Sequence, residues 1–302
     1  QCGGCGPADD GARRLYSLTR ASGAGSPGLP AEVVYTLFAA DGSQTQIEYT
    51  ITGLPALTTP TAIDIMGAYL IVLVASEGAY YYATINSMTG AVGTWAKVTT
   101  GFVAGAIPND IFVISSSLAW ICGNNGYIYR INTVPSGVSV VNAGAATSQN
   151  LTRIHGDGNL RLVSGGGSAA IITSADAGVT WATTPATTGG VISGIAVKDN
   201  LHWWVTTAAG LRAYTLDAGN SWVPQLIAGA TACNDIVFAN DEVGYVAYEN
   251  ASGAALQATQ YGGAVWADSG AANSRLGTLP AHVRTNRIAL PRTTVDITTA
   301  IL

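Results

Sequence analysis

Two eight-residue segments of the chain match almost position for position: Ser174-Ala-Asp176-Ala-Gly178-Val-Thr180-Trp181 and Thr215-Leu-Asp217-Ala-Gly219-Asn-Ser221-Trp222. A third, Thr259-Gln-Tyr261-Gly-Gly263-Ala-Val265-Trp266, keeps Gly263 and Trp266 but has lost the acid. A fourth keeps only Gly93-Thr94-Trp95. The tryptophans lie 41 residues apart (181 to 222), 44 apart (222 to 266) and 86 apart (95 to 181), the last about two periods. A further copy is due near residue 138, where Pro135-Ser136-Gly137-Val138 supplies turn residues with Val in place of Trp. A fixed period of roughly 20–50 residues marks a chain built from stacked copies of one supersecondary unit, and nothing else constrains the fold as strongly.

A second periodic feature sets the same register. Each period opens with a short apolar strand, as in Thr61-Ala-Ile63-Asp-Ile65, Asn109-Asp-Ile111-Phe-Val113 and Asn234-Asp-Ile236-Val-Phe238. The central isoleucines fall at 63, 111, 154, 195, 236 and 288. Within one period, residues 201–206, 211–215 and 222–226 read as three more strands with turn residues between. Four short strands in roughly 42 residues, repeated, are the signature of a β-propeller blade. Each twisted sheet covers its neighbour's faces, so only short edges stay open. A β-helix has shorter coils, and a two-sheet sandwich has no reason for a recurring Trp. We therefore expect an all-β propeller with five complete blades, starting near 61, 109, 152, 193 and 234. A sixth would combine an inner strand around Ile288 with strands at 14–19, 32–38 and 46–51, so that the two ends of the chain close the ring in one shared blade. Seven blades is the alternative, if 292–302 begins another. Residues 14–302 would form one domain behind a Gly- and Cys-bearing arm, 1–13.

The pattern Ser/Thr-x-Asp-x-Gly-x-Thr/Ser-Trp resembles the Asp-box, or BNR repeat. Over roughly residues 61–270 the chain is similar to Asp-box propellers of the photosystem II assembly-factor type. Similar phrasing around "SADAGVTW" occurs in structural proteins of tailed bacteriophages. Bottom-up, the segment is a hairpin turn between the third and fourth strands of a blade. Asp176 and Asp217 can accept backbone N–H bonds across the turn. Gly178 and Gly219 can take the positive φ it needs. Thr180 and Ser221 can satisfy nearby polar groups, while Trp181 and Trp222 begin the outer strand and tuck between blades. Ser174, Thr215, Gly263, Trp266, Thr94 and Trp95 complete the set. All of these roles are structural, not catalytic.

Composition narrows the function. Charged residues make up only 10% of the 302, against about 25% in an ordinary domain. The net charge is −5, and Lys97 and Lys198 are the only lysines, so nucleic-acid binding is not expected. The most apolar stretch, 67–75, is interrupted by Ser76 and Glu77, far short of the ~20 residues of a membrane span. The Asp-box resemblance also brings in the sialidases, whose sites use three arginines, the first in an Arg-Ile/Leu-Pro motif, and a Tyr nucleophile paired with an acid. Here Arg130-Ile131, Arg153-Ile154 and Arg287-Ile288 all lack the Pro, and no Tyr–Glu pair stands out. His155, His202 and His282 have no metal-ligand spacing. Tyr80-Tyr81-Tyr82 alternates faces as a strand, giving core packing plus one exposed ring, or else a sugar-stacking platform. Cys2 and Cys5 have CxxC spacing without a partner pair, which leaves a local disulfide, an intersubunit cross-link or a shared metal open. Cys122 and Cys233 read as small buried hydrophobes.

These features lead us to expect a non-catalytic structural or interaction propeller without cofactor or metal. The expected setting is the virion surface of a tailed phage, as a capsid-decoration or tail-associated protein partnered by other virion proteins or copies of itself. The alternatives are a secreted or periplasmic glycan-binding, sialidase-like protein, and an assembly factor docking on a membrane complex.

Overall fold

A computed structural model of the chain describes residues 13–19, 32–38, 44–51, 53–54, 60–158, 160–185, 189–238 and 240–268. Its regular elements are strands, apart from three 3-10 turns of three residues each. They fall into two compact units, one running to Ala143 and the other beginning at Gly144.

The first unit opens with an antiparallel sheet of three strands, β1 (Arg13–Thr19), β2 (Glu32–Phe38) and β3 (Gln44–Thr50). A four-stranded sheet follows: β4 (Pro60–Met66), β5 (Tyr69–Val74), β6 (Ala79–Thr84) and β7 (Ala96–Val98). The next contains β8 (Pro108–Ser115), β9 (Leu118–Gly123), β10 (Tyr127–Ile131) and β11 (Ser139–Ala143). Met66 pairs with Tyr69 around a two-residue loop whose Gly67 sits at φ +63, the conformation such hairpins require. These two sheets share a core in which Ile71, Leu73 and Tyr80 pack with Ile111, Ile121 and Tyr129. The buried carboxylate of Asp64 in β4 accepts the Val113 N–H of β8 at 2.9 Å, tying first strand to first strand.

The second unit holds three four-stranded antiparallel sheets. These are β12 (Leu151–Gly156) to β15 (Ala182–Thr183), by way of β13 (Leu162–Gly166) and β14 (Ile171–Ser174); β16 (Ile192–Val197), β17 (Trp203–Thr207), β18 (Leu211–Thr215) and β19 (Val223–Leu226); and β20 (Ala230–Phe238), β21 (Gly244–Asn250), β22 (Gly253–Thr259) and β23 (Ala267–Asp268). Thr152 Oγ1 donates to Ile192 O at 2.6 Å near the start of β12 and β16, and Val197 N–H donates to His155 Nδ1 at 3.2 Å near their ends. The two first strands therefore run in the same sense.

Burial is graded across the four-stranded sheets. The second strands β13 and β17 are buried at every position, whereas the fourth strands β15 and β23 are exposed throughout and only two residues long. Short outer strands leave little unpaired edge for another chain to extend. Four of the five expected blade starts fall within a residue of β4, β8, β12 and β16. The fifth begins earlier, at Ala230 and not near 234, because bulges at Ala230/Ala232 and Cys233/Asp235 break the period-2 pattern that would have revealed it. The strands expected at 14–19, 32–38 and 46–51 are β1 to β3. The Ile288 strand, the shared blade, the 292–302 segment and residues 1–12 of the arm lie outside the described residues, while Arg13 belongs to β1.

Candidate functional site

The repeated segments are the turns between β14 and β15, β18 and β19, and β22 and β23. In the first, Asp176 Oδ1 accepts the N–H groups of Val179 (3.1 Å) and Thr180 (2.9 Å), and the Thr180 hydroxyl closes onto Oδ2 at 2.5 Å. In the second, Asp217 accepts the Ser221 N–H at 2.9 Å and the Ser221 hydroxyl at 2.6 Å. The bonds from Thr180, side chain first, hold the Asp176 carboxyl down at about 2; those from Ser221 lower Asp217. Gly178, Gly219 and Gly263 all sit at φ between +81 and +94. The hydroxyl at the first position does a second job. Ser174, Thr215 and Thr259 are each 1–2% exposed, and their oxygens accept the buried N–H of Gly178, Gly219 and Gly263 at 2.8, 2.9 and 3.1 Å. This bond survives in the third copy, where the acid is gone.

The tryptophans follow the sequence expectation only in part. The fourth strands begin one residue later, at Ala182, Val223 and Ala267, and Trp181, Trp222 and Trp266 remain half-exposed. Trp222 packs against Trp203 of its own sheet, 6.3 Å between ring centres, and the Trp266 ring is covered by Arg212 of the preceding sheet. The Trp181 and Trp266 indole N–H groups turn back onto the carbonyls of Gly178 and Gly263. Trp95, preceded by Thr94, is the one buried at 8%. Val138, where a further copy was due, is buried at 7%.

Two arginines that sequence reading passed over join neighbouring sheets. Arg161 lies over the Trp203 ring at 5.1 Å and donates to Asn200 Oδ1 from Nε and Nη2 and to Thr173 Oγ1 from Nη1. Arg212 lies 4.3 Å over Trp266 and donates to Gln225 and Gln257; burial lowers its pKa to about 10.

Between the second and third sheets of this unit lies a cleft of about 510 Å³. Trp204 and Tyr214, stacked 6.1 Å apart, form one wall, and Tyr261 stands at the rim, 70% exposed. Lys198 Nζ lies 5.3 Å over Trp204 and 5.4 Å over Phe238 and donates to the Asp241 carbonyl. Asp199 accepts the His202 ring at 2.6 Å; although burial raises its pKa, this bond and two backbone N–H bonds hold it low. The Gly263 backbone is pressed against Trp204, since a Cβ there would come within 2.5 Å of the indole nitrogen.

No protein-family model and no curated protein sequence matches the chain. Solved structures do. A structure of YCF48 bound to D1 peptide has a TM-score of 0.60 at 16% identity, covering 80% of this chain and 75% of that one. YCF48 from Cyanidioschyzon merolae gives 0.56 at 13%, covering 79% and 80%. A chain in the crystal structure of a mitotic checkpoint complex gives 0.56 at 11%, covering 80% and 72%. The chain folds as a β-propeller.

On this propeller the other candidate residues are dispersed. Tyr80 and Tyr81 are buried and Tyr82 is half-buried, so the run offers no stacking platform. Arg130 lies in β10, and Arg153 lies in β12 with its Nη1 on the Thr152 carbonyl. Arg287, His282, Cys2 and Cys5 lie outside the described residues. Cys122 and Cys233 are buried thiols, and burial pushes Cys233 up to about 12. Among the described residues no three His, Cys, Asp or Glu side chains group to hold a metal. Sequence reading missed the cleft because Lys198, Tyr214 and Tyr261 belong to different strands and turns. The one local signal was Tyr261 standing where the repeat demands Asp.

Proposed function

We propose that this propeller is a non-catalytic interaction module that binds a segment of a protein partner, in the manner of an assembly factor. The observation that carries this reading is the cleft with its exposed Tyr261: an aromatic-walled hollow on a rigid scaffold, within the ~300–1,000 Å³ range of binding pockets. The likeness in fold to a YCF48 structure with D1 peptide bound supports a polypeptide ligand. The same likeness favours the assembly-factor reading over the virion surface, which has only the phrasing of the repeat and the charge-poor composition behind it. The Asp-box turns support the scaffold role, since their polar groups are spent on one another.

Cross-linking mass spectrometry on native material tests the proposal. We expect one partner segment to cross-link to the propeller and, as a synthetic peptide, to bind the purified full chain saturably at one-to-one stoichiometry. Turnover of a glycoside, or retention of sialosides on a glycan array with no peptide bound, would overturn it.

A further inference from the structure

The strands of the second unit alternate in direction, so its loops divide between two ends. At one end lie 175–181, 198–202, 216–222, 240–243 and 260–266, with the described parts of 157–161; at the other lie 149–150, 167–170, 208–210, 227–229 and 251–252, with the described parts of 184–191. The second group contains no charged residue. The first contains Asp157, Asp176, Asp199, Asp217, Asp241 and Glu242, against Arg161 and Lys198. Both cations are engaged by neighbouring groups, Arg161 in a buried position and Lys198 at the wall of the cleft. Arg161 is 8% exposed and held by Asn200 and Thr173, and the Lys198 ammonium lies against two aromatic rings and the Asp241 carbonyl.

The same end carries apolar side chains in the open. Leu160, Val179, Leu201, Leu216, Tyr261 and Val265 are each between 46% and 70% exposed, two from each of the three sheets. Apolar surface gathered at one place is a mark of an interaction site. The third turn shows how such surface is made available. Where the first two turns place Asp176 with Thr180 and Asp217 with Ser221, bonded to each other, this one has Tyr261 and Val265. Thr259 still takes the Tyr261 and Gly263 N–H bonds, and Gly262 occupies at φ +64 the place held by Ala177 and Ala218. The turn thus keeps its course without the acid, which frees Tyr261 and Val265 to face solvent beside the cleft.

Resting on the reading of the propeller as a polypeptide binder, we infer that this acidic, apolar end of the second unit is the docking face, and that its occupant is a basic segment, rich in Lys or Arg, that seats an aromatic or leucine side chain in the cleft beside Tyr261. The chemistry selects this occupant by complementarity. Six carboxylates against two cations, both already engaged by neighbouring groups, attract a cationic chain and repel an anionic one. The apolar rim and cleft take the uncharged anchor, which supplies the central desolvated contact of an interface.

The test uses the full chain and three labelled twelve-residue peptides: one basic with a central Trp, the same with Glu for every Lys and Arg, and the same with Ala for Trp. Fluorescence anisotropy should show the first binding at least about tenfold tighter than either other, with affinity falling as salt rises. Tyr261→Ala, and Asp241→Asn with Glu242→Gln, should each weaken it by about tenfold while the melting temperature stays unchanged. The charge variant alone should flatten the salt dependence. Ala209→Glu, at the uncharged end, should leave binding as it is. Equal binding of the acidic peptide, no binding of the basic one, or indifference to Tyr261→Ala would overturn the inference. If the natural segment found by cross-linking binds but is acidic or maps elsewhere, the interaction reading stands and this one fails. If no polypeptide binds in either experiment, both fail.

Discussion

At the scale of single residues, the repeated turn is held by two bonds of different weight. Asp176 accepts N–H groups of Val179 and Thr180, both exposed, so water can replace the carboxylate. Ser174 accepts the N–H of Gly178, which is buried and has no such recourse. Ser174→Ala should therefore cost about 2 kcal/mol and Asp176→Ala about 1, an order that urea denaturation of the two variants will check. The Asp176 contribution also depends on pH. Its carboxyl titrates lower in the folded protein than in the unfolded chain, so the stabilisation is complete above about pH 4 and is lost as pH falls through about 2. The difference between wild type and Asp176→Ala should close over that interval. Ala177 and Ala218 stand at φ +55 and +60, where a Cβ is strained. Ala177→Gly and Ala218→Gly should each raise stability by up to about 1 kcal/mol, read as an upward shift in melting temperature. The sequence displayed the acid and the glycine of this turn plainly. It gave no hint that the neighbouring alanine is strained, since Ala is unremarkable anywhere in a string of letters.

At the scale of strands and sheets, Arg161 and Arg212 perform one task twice. Each leaves its own sheet to cover an indole on the next, Trp203 and Trp266, and spends its donors on uncharged partners: Asn200 and Thr173, or Gln225 and Gln257. A planar guanidinium can stack and donate in two directions at once, and an ammonium cannot. Arg212→Lys should accordingly destabilise by about 1–3 kcal/mol, combining a lost ring contact with an amide left short of its donor, and thermal unfolding will show it. The strand pattern itself was legible because apolar runs and turn residues recur at a fixed period. It failed locally at β20, where two bulges shift the register that alternation would report. The arginine contacts were not legible, since Arg212 and Gln257 are 45 residues apart and only stacking of sheets unites them.

At the scale of the whole molecule, scarce charge is distributed with marked polarity in the second unit. The chain carries −5 overall with an isoelectric point near 5.0, so its solubility rests on few groups. Light scattering should rise as pH approaches 5, where net repulsion vanishes, and fall again on either side. The carboxylates at one end of the second unit should make this association, like docking, sensitive to salt.

The periodic tryptophans and isoleucines, by themselves, determined that the chain repeats a four-stranded unit and therefore stacks sheets, because no such sheet can bury both faces alone. The side-chain chemistry of the Asp-bearing turns was determined there too, since the bonds of Ser174, Asp176, Thr215 and Asp217 span four residues or fewer, although the Ala177 and Ala218 N–H groups reach back to the carbonyls of Leu160 and Leu201. The tertiary structure alone decided that Lys198, Trp204, Tyr214 and Tyr261 border one cleft, and that the carboxylate-bearing loops of three sheets gather at one end while the loops at the other end carry none. Alternation tells which face of a strand is buried. Which loops become neighbours depends on how sheets stack, and that is a property of distances no local pattern contains.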